Sequence, residues 1–236
     1  MLRIAIVLTL VAATAPVRAQ PAGSVKGTVI FEGEPPERLA LRRGTDPLCA
    51  KVERLSEDVI VTNGKLKDVL VRVKNGALLP AAARTVPAPV VIDQKDCMYT
   101  PRVVGIVAGQ KIAVRNSDPT FHNVHGAVAG KLLWNKPASP KDADLVLETS
   151  GRGGDVIDVT CDVHPWMRAY AVVQDHAAFA VTDEHGAFEL KGLPPGSYTL
   201  EAWHPVLGTR TLEVKIGGGA KASVTARFSY KRSEMP

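Results

Sequence analysis

The most informative segment of this sequence is Cys161-Asp-Val-His164-Pro-Trp-Met167. It places a thiolate, an imidazole and a thioether in one short loop, and His122 and His125 offer further imidazoles upstream. Thiolate and thioether donors select Cu(I), imidazole suits both oxidation states, and a plane of two His and one Cys with a weak axial Met is typical of electron-transfer copper sites. The pattern predicts a copper site with His122, Cys161, His164 and Met167 as ligands, and His125 as the runner-up.

The thioether is the donor that distinguishes copper from zinc. Zinc sites use Cys and His at similar spacings, so a Cys-x2-His pair alone does not separate the two metals. Met is a poor zinc ligand, and a Met beside a single Cys favours copper. The alternative for Met167 is that it fills core space at the start of a strand.

The first residues have the pattern of a secretory signal peptide. Arg3 precedes an apolar run over residues 4–15, and Val17 and Ala19 supply small residues before a cleavage site. The run is shorter than the roughly 20 residues that a membrane-spanning helix needs. We expect residues 1–19 to be removed, no integral membrane segment in the mature chain, and a periplasmic or secreted location.

The net charge of the mature chain gives little support for nucleic acid as a partner. Without residues 1–19 the chain has 27 basic and 24 acidic residues, a net charge of +3, and no basic tract that would support binding of nucleic acid.

Three cysteines in a secreted protein leave one unpaired. If Cys161 binds the metal, Cys49 and Cys97 are left to form a disulfide, which an oxidising compartment permits. Two buried thiols are the alternative.

Short apolar runs separated by turn residues predict an all-β fold. Asn63-Gly64 lies between two such runs and is the strongest short signal for a β-hairpin, because both residues accept positive φ. The second run, residues 66–74, is predicted as one strand, since its valines alternate with polar residues. No stretch of the mature sequence has the period of an amphipathic helix, so we expect a sandwich or barrel.

The copper-ligand motifs resemble those of a known family. His122-Asn-Val-His and Cys161-x-x-His-Pro-x-Met are similar to the motifs of the cupredoxins, the blue copper proteins, and most similar to the amicyanin and plastocyanin types. The strand-like segment 109–116 also resembles the strand before the first histidine in that family. The resemblance spans residues 98–174 and implies a Greek-key β-sandwich with one type 1 copper that cycles between Cu(I) and Cu(II). We assign residues 20–175 to this domain.

Three residues beside the ligands receive supporting roles. The resemblance implies that Asn123 hydrogen-bonds across to the Cys-bearing loop and fixes the ligand geometry, and Pro165 flanks His164 in the loop. Amicyanin-like loops tend to have Pro immediately before the second histidine, and this sequence has Val163 there. We hypothesise that the Val163 N–H bonds the Cys161 sulfur, stabilises its negative charge and lowers the reduction potential.

The resemblance also implies a route for electrons. In cupredoxins the edge of the second histidine is the usual exit, ringed by apolar residues. His164, Pro165 and Trp166 therefore form a candidate exit patch, small enough for transient redox partners. For Trp166, packing in the core is the alternative.

The C-terminal part resembles a second family. Residues 182–188 (TDEHGAF) and 193–198 (LPPGSY) are similar to the carboxypeptidase regulatory-like, prealbumin-type β module. The resemblance implies a small second β-sandwich without catalysis over residues 176–230, followed by a polar tail, 231–236. Whether the predicted strand at 24–31 completes its sheet is left open.

These features favour a one-electron carrier outside the cytoplasm that meets transient redox protein partners and acts as a monomer. The alternative is a copper-binding module with a trafficking or structural role and no electron transfer. A domain of a larger copper oxidase ranks last, because the sequence lacks the additional His-x-His pairs that a trinuclear cluster would need. No Ser-His-Asp set or pair of carboxylates suggests hydrolysis, so we expect no enzyme activity.

Overall fold

The computed structural model describes residues 22–74, 76–218 and 222–235, and the predicted signal peptide lies outside them. The described residues form β-strands and short 3₁₀ turns, so the all-β prediction is confirmed. In chain order the strands are β1 (Gly23–Glu32), β2 (Val61–Thr62), β3 (Lys65–Leu66), β4 (Leu70–Val73), β5 (Val90–Lys95), β6 (Met98–Thr100), β7 (Val103–Val107), β8 (Ile112–Asn116), β9 (His122–Val128), β10 (Lys131–Ala138), β11 (Leu145–Leu147), β12 (Val156–Thr160), β13 (Arg168–Gln174), β14 (Phe179–Val181), β15 (Ala187–Leu193), β16 (Gly196–His204), β17 (Gly208–Ile216) and β18 (Ser223–Lys231). The 3₁₀ turns are Cys49–Lys51, Gly76–Leu78, Ala81–Arg84 and Arg232–Glu234.

The strands form four sheets that pack in pairs as two sandwiches. The central sandwich combines a sheet of order β10-β9-β12-β13-β7 with one of order β11-β8-β5-β6. The terminal sandwich combines β15-β1-β3-β2, where β18 also pairs with β1, with β14-β4-β16-β17. The central sandwich is thus one continuous piece of chain, residues 90–174, and the terminal sandwich is built from the segments before and after it.

Each sandwich has its own apolar core, and a third cluster joins the two. The central core includes Ile92, Ile112, Val124, Ile157 and Val173. The terminal core includes Val29, Phe31, Val71, Leu200 and Phe228. The joining cluster is formed by Leu70, Val103, Tyr170 and Val172, with Phe179, Val181 and Trp203 packed against it. Removal of this apolar area from water is the main term that stabilises each sandwich and the contact between them.

The sheet pairing places the N-terminal strands outside the sandwich to which we assigned residues 20–175. β1 pairs antiparallel with β15 and parallel with β18, and β4 pairs with β14 and β16. Strands β1–β4, which we expected in the copper domain, therefore lie in the sheets of the terminal sandwich. The alternation of a strand reports that one face is buried, but it does not report which remote strand is the partner.

The Asn-Gly hairpin is present, whereas the single strand predicted after it is not. Asn63 and Gly64 have φ of 51° and 72°, and they join β2 to β3. The run 66–74 is split at Asp68, whose φ is 61°, so that β3 joins one sheet of the terminal sandwich and β4 the facing sheet. Strand β6 and the β9–β10 hairpin were not predicted from the sequence.

The strand register brings the two ligand motifs to one end of the central sandwich. In β12, Thr160 pairs with Arg168 of β13 on one side and with His125 of β9 on the other. The loop 161–167 and the start of β9 at His122 therefore lie at the same edge of the same sheet. Two stretches about 40 residues apart in sequence meet there because β9 and β12 are neighbours in the sheet.

Candidate metal centre

The structure brings together three of the predicted ligands. His122 is the first residue of β9, and Cys161 and His164 lie in the loop between β12 and β13. The backbone N–H of Met167 donates to the His164 carbonyl at 2.9 Å, which closes this loop into a tight turn. His122, Cys161 and His164 are all buried, with exposed fractions of 0%, 2% and 3%.

The donor atoms of these three residues form a triangle of the size that a metal ion requires. The two Nδ1 atoms of His122 and His164 are 2.8 Å apart, and the Cys161 sulfur is 4.0 Å and 3.8 Å from them. A point equidistant from three atoms at these separations lies about 2 Å from each, close to metal–imidazole and metal–thiolate bond lengths of about 2.0–2.3 Å. Two imidazoles and one thiolate are the equatorial donors of the predicted copper site, so the donor set fits the ion.

A buried carboxylate holds the first imidazole. His122 Nε2 lies 2.9 Å from Asp118 Oδ2. A proton on Nε2, shared with the carboxylate, leaves the lone pair of Nδ1 facing the centre of the triangle, which is the usual way in which an outer partner sets the tautomer of a metal-binding histidine. Burial lowers the pKa of His122, but the hydrogen bonds to Asp118 and Cys161 outweigh it and raise the pKa overall.

A second carboxylate holds the other imidazole. His164 Nε2 lies 3.1 Å from Asp46 Oδ2. Burial raises the pKa of Asp46, but hydrogen bonds from Thr120, Leu48 and other donors prevail and lower it to about 2. The pKa of His164 is lowered by burial and by the neighbouring His122. At neutral pH this leaves an ionised carboxylate behind an imidazole whose inner nitrogen is free to bind a cation.

The environment of Cys161 favours the thiolate. Burial raises the pKa of the thiol, but the contact with His122 and the backbone N–H groups of Asn123, His164 and Val163 lower it below its ordinary value. A thiolate is the form of Cys that binds metals. The Val163 N–H is thus one of the groups that stabilise negative charge on the sulfur, while the effect on a reduction potential stays a prediction.

Asn123 links the two ligand-bearing segments. Its Oδ1 accepts the backbone N–H of Asp162 at 2.7 Å and lies 3.3 Å from the Cys161 sulfur. Its side-chain N–H donates to Asp162 and Asn135, each at 2.8 Å. This network fixes the position of the Cys-bearing loop against β9.

The remaining predicted residues of the loop have different degrees of exposure. Met167 is fully buried in the same core cluster as Cys161, and its role as an axial ligand stays a prediction. Pro165 and Val163 are exposed, and Trp166 is half-buried. The Trp166 indole N–H donates to the Cys97 carbonyl at 3.0 Å, and its ring lies 5.1 Å from that of His164.

His125 faces away from the three ligand atoms. Its Nδ1 lies 2.8 Å from Asp162 Oδ1, and it belongs to none of the groups of side chains close enough to hold a metal ion among the described residues. The runner-up ligand is therefore bound to the Asp162 carboxylate at the surface of the loop.

Cys49 and Cys97 form a disulfide, with their Cα atoms 5.6 Å apart, and Cys161 is a free buried cysteine. The predicted disulfide is confirmed. The bridge lies next to the candidate site, because the Cys49 sulfur is 3.7 Å from His164 Nε2.

Sequence reasoning missed three residues that shape the site. Asp118 carried a local signal, since it lies four residues before His122 in a turn. Tyr99 donates its hydroxyl to the backbone of Asn123 or Thr160, both at 3.0 Å, beneath the ligand loop. Asp46 comes from a remote segment, and no sequence pattern connects it with the site.

Among the described residues, no helix is long and apolar enough to span a membrane.

No family model matches this chain, and no curated protein matches it. Solved structures do match part of it. A purple cupredoxin from Nitrosopumilus maritimus shares 24% identity over 36% of this chain and 99% of its own, with a TM-score of 0.30. A reduced amicyanin variant and a reduced Cu(I) form of another amicyanin variant each share 21% identity over 44% of this chain and 98% of their own, with TM-scores of 0.33.

Proposed function

We propose that this protein is a type 1 copper protein that carries one electron at a time outside the cytoplasm. The observation that carries the proposal is the buried triangle of His122 Nδ1, His164 Nδ1 and Cys161 Sγ, whose centre lies about 2 Å from each donor. The Cys49–Cys97 disulfide supports an oxidising compartment. We further propose that Met167 supplies the axial thioether, that the protein catalyses no bond chemistry, and that it meets redox partners transiently as a monomer.

Copper bound here would supply a Cu(I)/Cu(II) couple. The chain's own residues would keep the site unchanged between the two states. Asp118 and Asp46 orient the imidazoles, and Asn123 holds the Cys-bearing loop against β9. Burial of the ligands excludes water from the site, and a dry site with fixed dipoles reorganises little when charge changes.

The first experiment is a visible spectrum of the purified mature protein with added Cu(II), beside the Cys161→Ser variant. The proposal expects an intense blue or purple thiolate-to-copper band that a reductant bleaches reversibly and that the variant lacks. A colourless protein, or weak copper binding that survives loss of the thiolate, would overturn it. The Cys161 side chain is fully enclosed, so Ser is the smallest change that removes the sulfur without leaving a cavity.

A second candidate function is a copper-binding module without electron transfer. The observation in its favour is the burial of His164, because the imidazole edge proposed as the electron exit is only 3% exposed. Voltammetry of the copper-loaded protein separates the candidates. A fast and reversible one-electron wave supports the carrier, whereas a coloured site that exchanges electrons slowly supports the binding module.

A further inference from the structure

The outer edge of His164 is covered by a segment from outside the central sandwich. Residues 40–55 leave the terminal sandwich between β1 and β2 and return to it. The base of this excursion is closed where Ala40 and Leu55 form an isolated antiparallel bridge. We call residues 40–55 the cap. Its contact with the candidate metal centre joins a segment of the terminal sandwich to the ligands of the central one.

The cap meets the imidazole itself. Asp46 Oδ2 and the Cys49 sulfur lie 3.1 Å and 3.7 Å from His164 Nε2. The Thr120 hydroxyl donates to Asp46 Oδ2 at 2.8 Å and fixes the carboxylate from the other side. His164 is 3% exposed while Val163, next to it in the loop, is 47% exposed. The inner side of His164 faces His122 and Cys161, and the cap contacts its outer nitrogen.

Besides its contacts with Thr120 and His164, the cap is anchored on the β5–β6 turn. Cys49 is bonded covalently to Cys97 in that turn. The Arg43 guanidinium donates to the Asp96 carbonyl at 2.6 Å, and Arg54 forms an ion pair with the Asp96 carboxylate. The exposed Arg54–Asp96 ion pair contributes little by itself, whereas the disulfide is the covalent member of this anchor.

Each cysteine of the disulfide donates its backbone N–H to a carboxylate, and each of these carboxylates contacts one of the two imidazoles. Asp118 accepts the Cys97 N–H at 2.8 Å and faces His122. On the cap side, Asp46 accepts the Cys49 N–H at 3.3 Å and faces the other imidazole. Breaking the disulfide would free the cap side of this arrangement, because Asp46 moves with the cap while Asp118 belongs to the central sandwich.

We propose that the cap is a disulfide-controlled gate over the metal centre. With Cys49–Cys97 intact, Asp46 and Cys49 seal the edge of His164 against solvent, chelators and partner proteins. When the disulfide is reduced, the cap leaves the site and the edge becomes accessible. The role of the gate rests on the metal centre proposed above, whereas the movement of the cap does not.

The opening step is a thiol–disulfide exchange with a dithiol reductant. A thiolate of the reductant attacks one sulfur of the bridge, and the S–S bond between Cys49 and Cys97 breaks. The second thiol of the reductant then displaces the mixed disulfide. Two electrons and two protons pass to the protein, which gains two thiols, and the reductant leaves as a disulfide.

The test measures access to His164 in the metal-free protein. The proteins are treated with diethyl pyrocarbonate, and the rate of carbethoxylation at each histidine is followed by peptide mass spectrometry. Wild type is compared with the Cys49→Ser/Cys97→Ser double variant, and Asp144→Asn serves as a carboxylate control in an exposed ion pair away from the cap. Exposed His185 is the internal reference for full reactivity, and buried His204 reports whether the fold is intact.

We expect His164 to react at least tenfold more slowly than His185 in wild type and in Asp144→Asn. In the double variant we expect its rate to rise at least tenfold while His204 stays protected. Equal protection of His164 with and without the disulfide would overturn the gate. If the double variant loses protection at His204, folded wild type reduced by a phosphine takes its place, with hydrogen exchange of the amides in residues 40–55 as the readout.

A metal readout separates the gate from the proposed function. Each protein is loaded with Co(II), and the rate of metal loss to excess EDTA is measured. We expect loss at least tenfold faster from the double variant than from wild type, and equal rates would overturn the gate. If neither protein binds Co(II) or Cu(II) and His164 still becomes accessible without the disulfide, the metal centre fails and the movement of the cap stands.

Discussion

Both sandwiches are pairs of β-sheets packed around an apolar core, but they differ in how their buried polar side chains are arranged. In the central sandwich His122, Asn123 and His164 are buried together with Cys161 at one end, where their side chains converge. In the terminal sandwich the buried His204 is satisfied by the backbone, because its Nδ1 accepts two backbone N–H groups at 3.2 Å. Buried polar groups are tolerated in both because they are hydrogen-bonded. Only where several of them converge with lone pairs directed at one point does a candidate binding site arise.

The distribution of possible metal ligands gives the same contrast. Among the described residues, the three groups of His, Cys, Asp and Glu that are close enough to hold an ion all include His122 or His164. These groups share residues, so they describe one site and its surroundings. In the described part of the terminal sandwich no such group is present. The terminal sandwich contributes to the site through the cap alone.

The largest expected effect comes from a matched pair of core truncations. Ile157 in β12 and Leu200 in β16 are both fully buried, one in each core. Each change to Ala removes buried methyl groups and leaves a cavity, so we expect either variant to lose about 2–5 kcal/mol of unfolding free energy. Ile157→Ala should also weaken metal binding, because β12 leads directly into Cys161, whereas Leu200→Ala should not.

Urea denaturation followed by circular dichroism measures the loss of stability, and titration of the folded variants with Cu(II) measures the affinity. A result in which both variants weaken copper binding equally would show that the site depends on the whole molecule and not on its own sandwich.

The second effect is a pH dependence that originates in the terminal sandwich. Burial lowers the pKa of His204 to about 3, whereas an unfolded His has a pKa of about 6.5. Between these values the unfolded chain binds one more proton than the native protein, so stability is complete above about pH 6.5 and falls as the pH drops towards 3. We expect His204 to contribute a loss of about 2 kcal/mol between pH 6 and pH 4.5.

His204→Asn tests this, because the amide oxygen can accept the two backbone N–H groups without titrating. The variant should show a shallower fall of unfolding free energy with decreasing pH than wild type. The matched control is His185→Asn at an exposed turn, which should leave the slope unchanged. If the unfolding free energy of His204→Asn falls with decreasing pH as steeply as that of wild type, His204 is not the origin of the pH dependence.

A smaller effect is expected at the contact between the sandwiches. The Trp203 ring lies 6.0 Å from that of Tyr170 in an edge-to-face arrangement, and such pairs contribute about 0.5–1.5 kcal/mol beyond their buried area. Trp203→Leu should lower the cooperativity between the two sandwiches, so that calorimetry shows two thermal transitions instead of one. Phe228→Leu removes a comparable ring pair with Phe188 inside the terminal sandwich and should lower the stability without separating the transitions.

The smallest effect concerns one backbone N–H in the metal loop. The Val163 N–H is among the groups that lower the pKa of Cys161. Val163→Pro removes this donor. The reduced site carries one more negative charge than the oxidised site, so an N–H donor beside the sulfur stabilises the reduced state, and its loss should lower the reduction potential of the copper-loaded protein, opposite in sign to our hypothesis from the sequence. One hydrogen bond of about 1 kcal/mol corresponds to about 40 mV for a one-electron couple. Voltammetry of the two proteins measures the change, and an unchanged or higher potential in Val163→Pro would contradict this expectation. Val163→Ala, which keeps the N–H, is the control.

The sequence alone was sufficient where the information is local. The Asn63-Gly64 hairpin was predicted because a two-residue turn depends on the two residues in it. The loop from Cys161 to Met167 was recognised for the same reason, since the spacing of its donors is set within one turn. The disulfide followed from the cysteine count once Cys161 was set aside.

The errors lie where the outcome depends on pairing between remote segments. Residues 66–74 read as one strand, but a positive φ at Asp68 sends the two halves into facing sheets. Pairing of the strand at 24–31 with the C-terminal sheet was left open by the sequence, and the structure places β1 between β15 and β18. Alternation of apolar and polar residues fixes which face of a strand is buried, and it contains no information about the neighbouring strand.

The sequence by itself determined the β class, the hairpin turns and the identity of the candidate donors, because these depend on residue types at short spacing. The orientation of the donors, and the access of solvent and partner molecules to them, depend on the tertiary structure. Asp118 and Asp46 turn the inner nitrogens of His122 and His164 towards one another, and the cap closes over the outer edge. Asp46 lies more than 100 residues from His164 in the chain, and only the folding of the terminal sandwich against the central one brings them into contact.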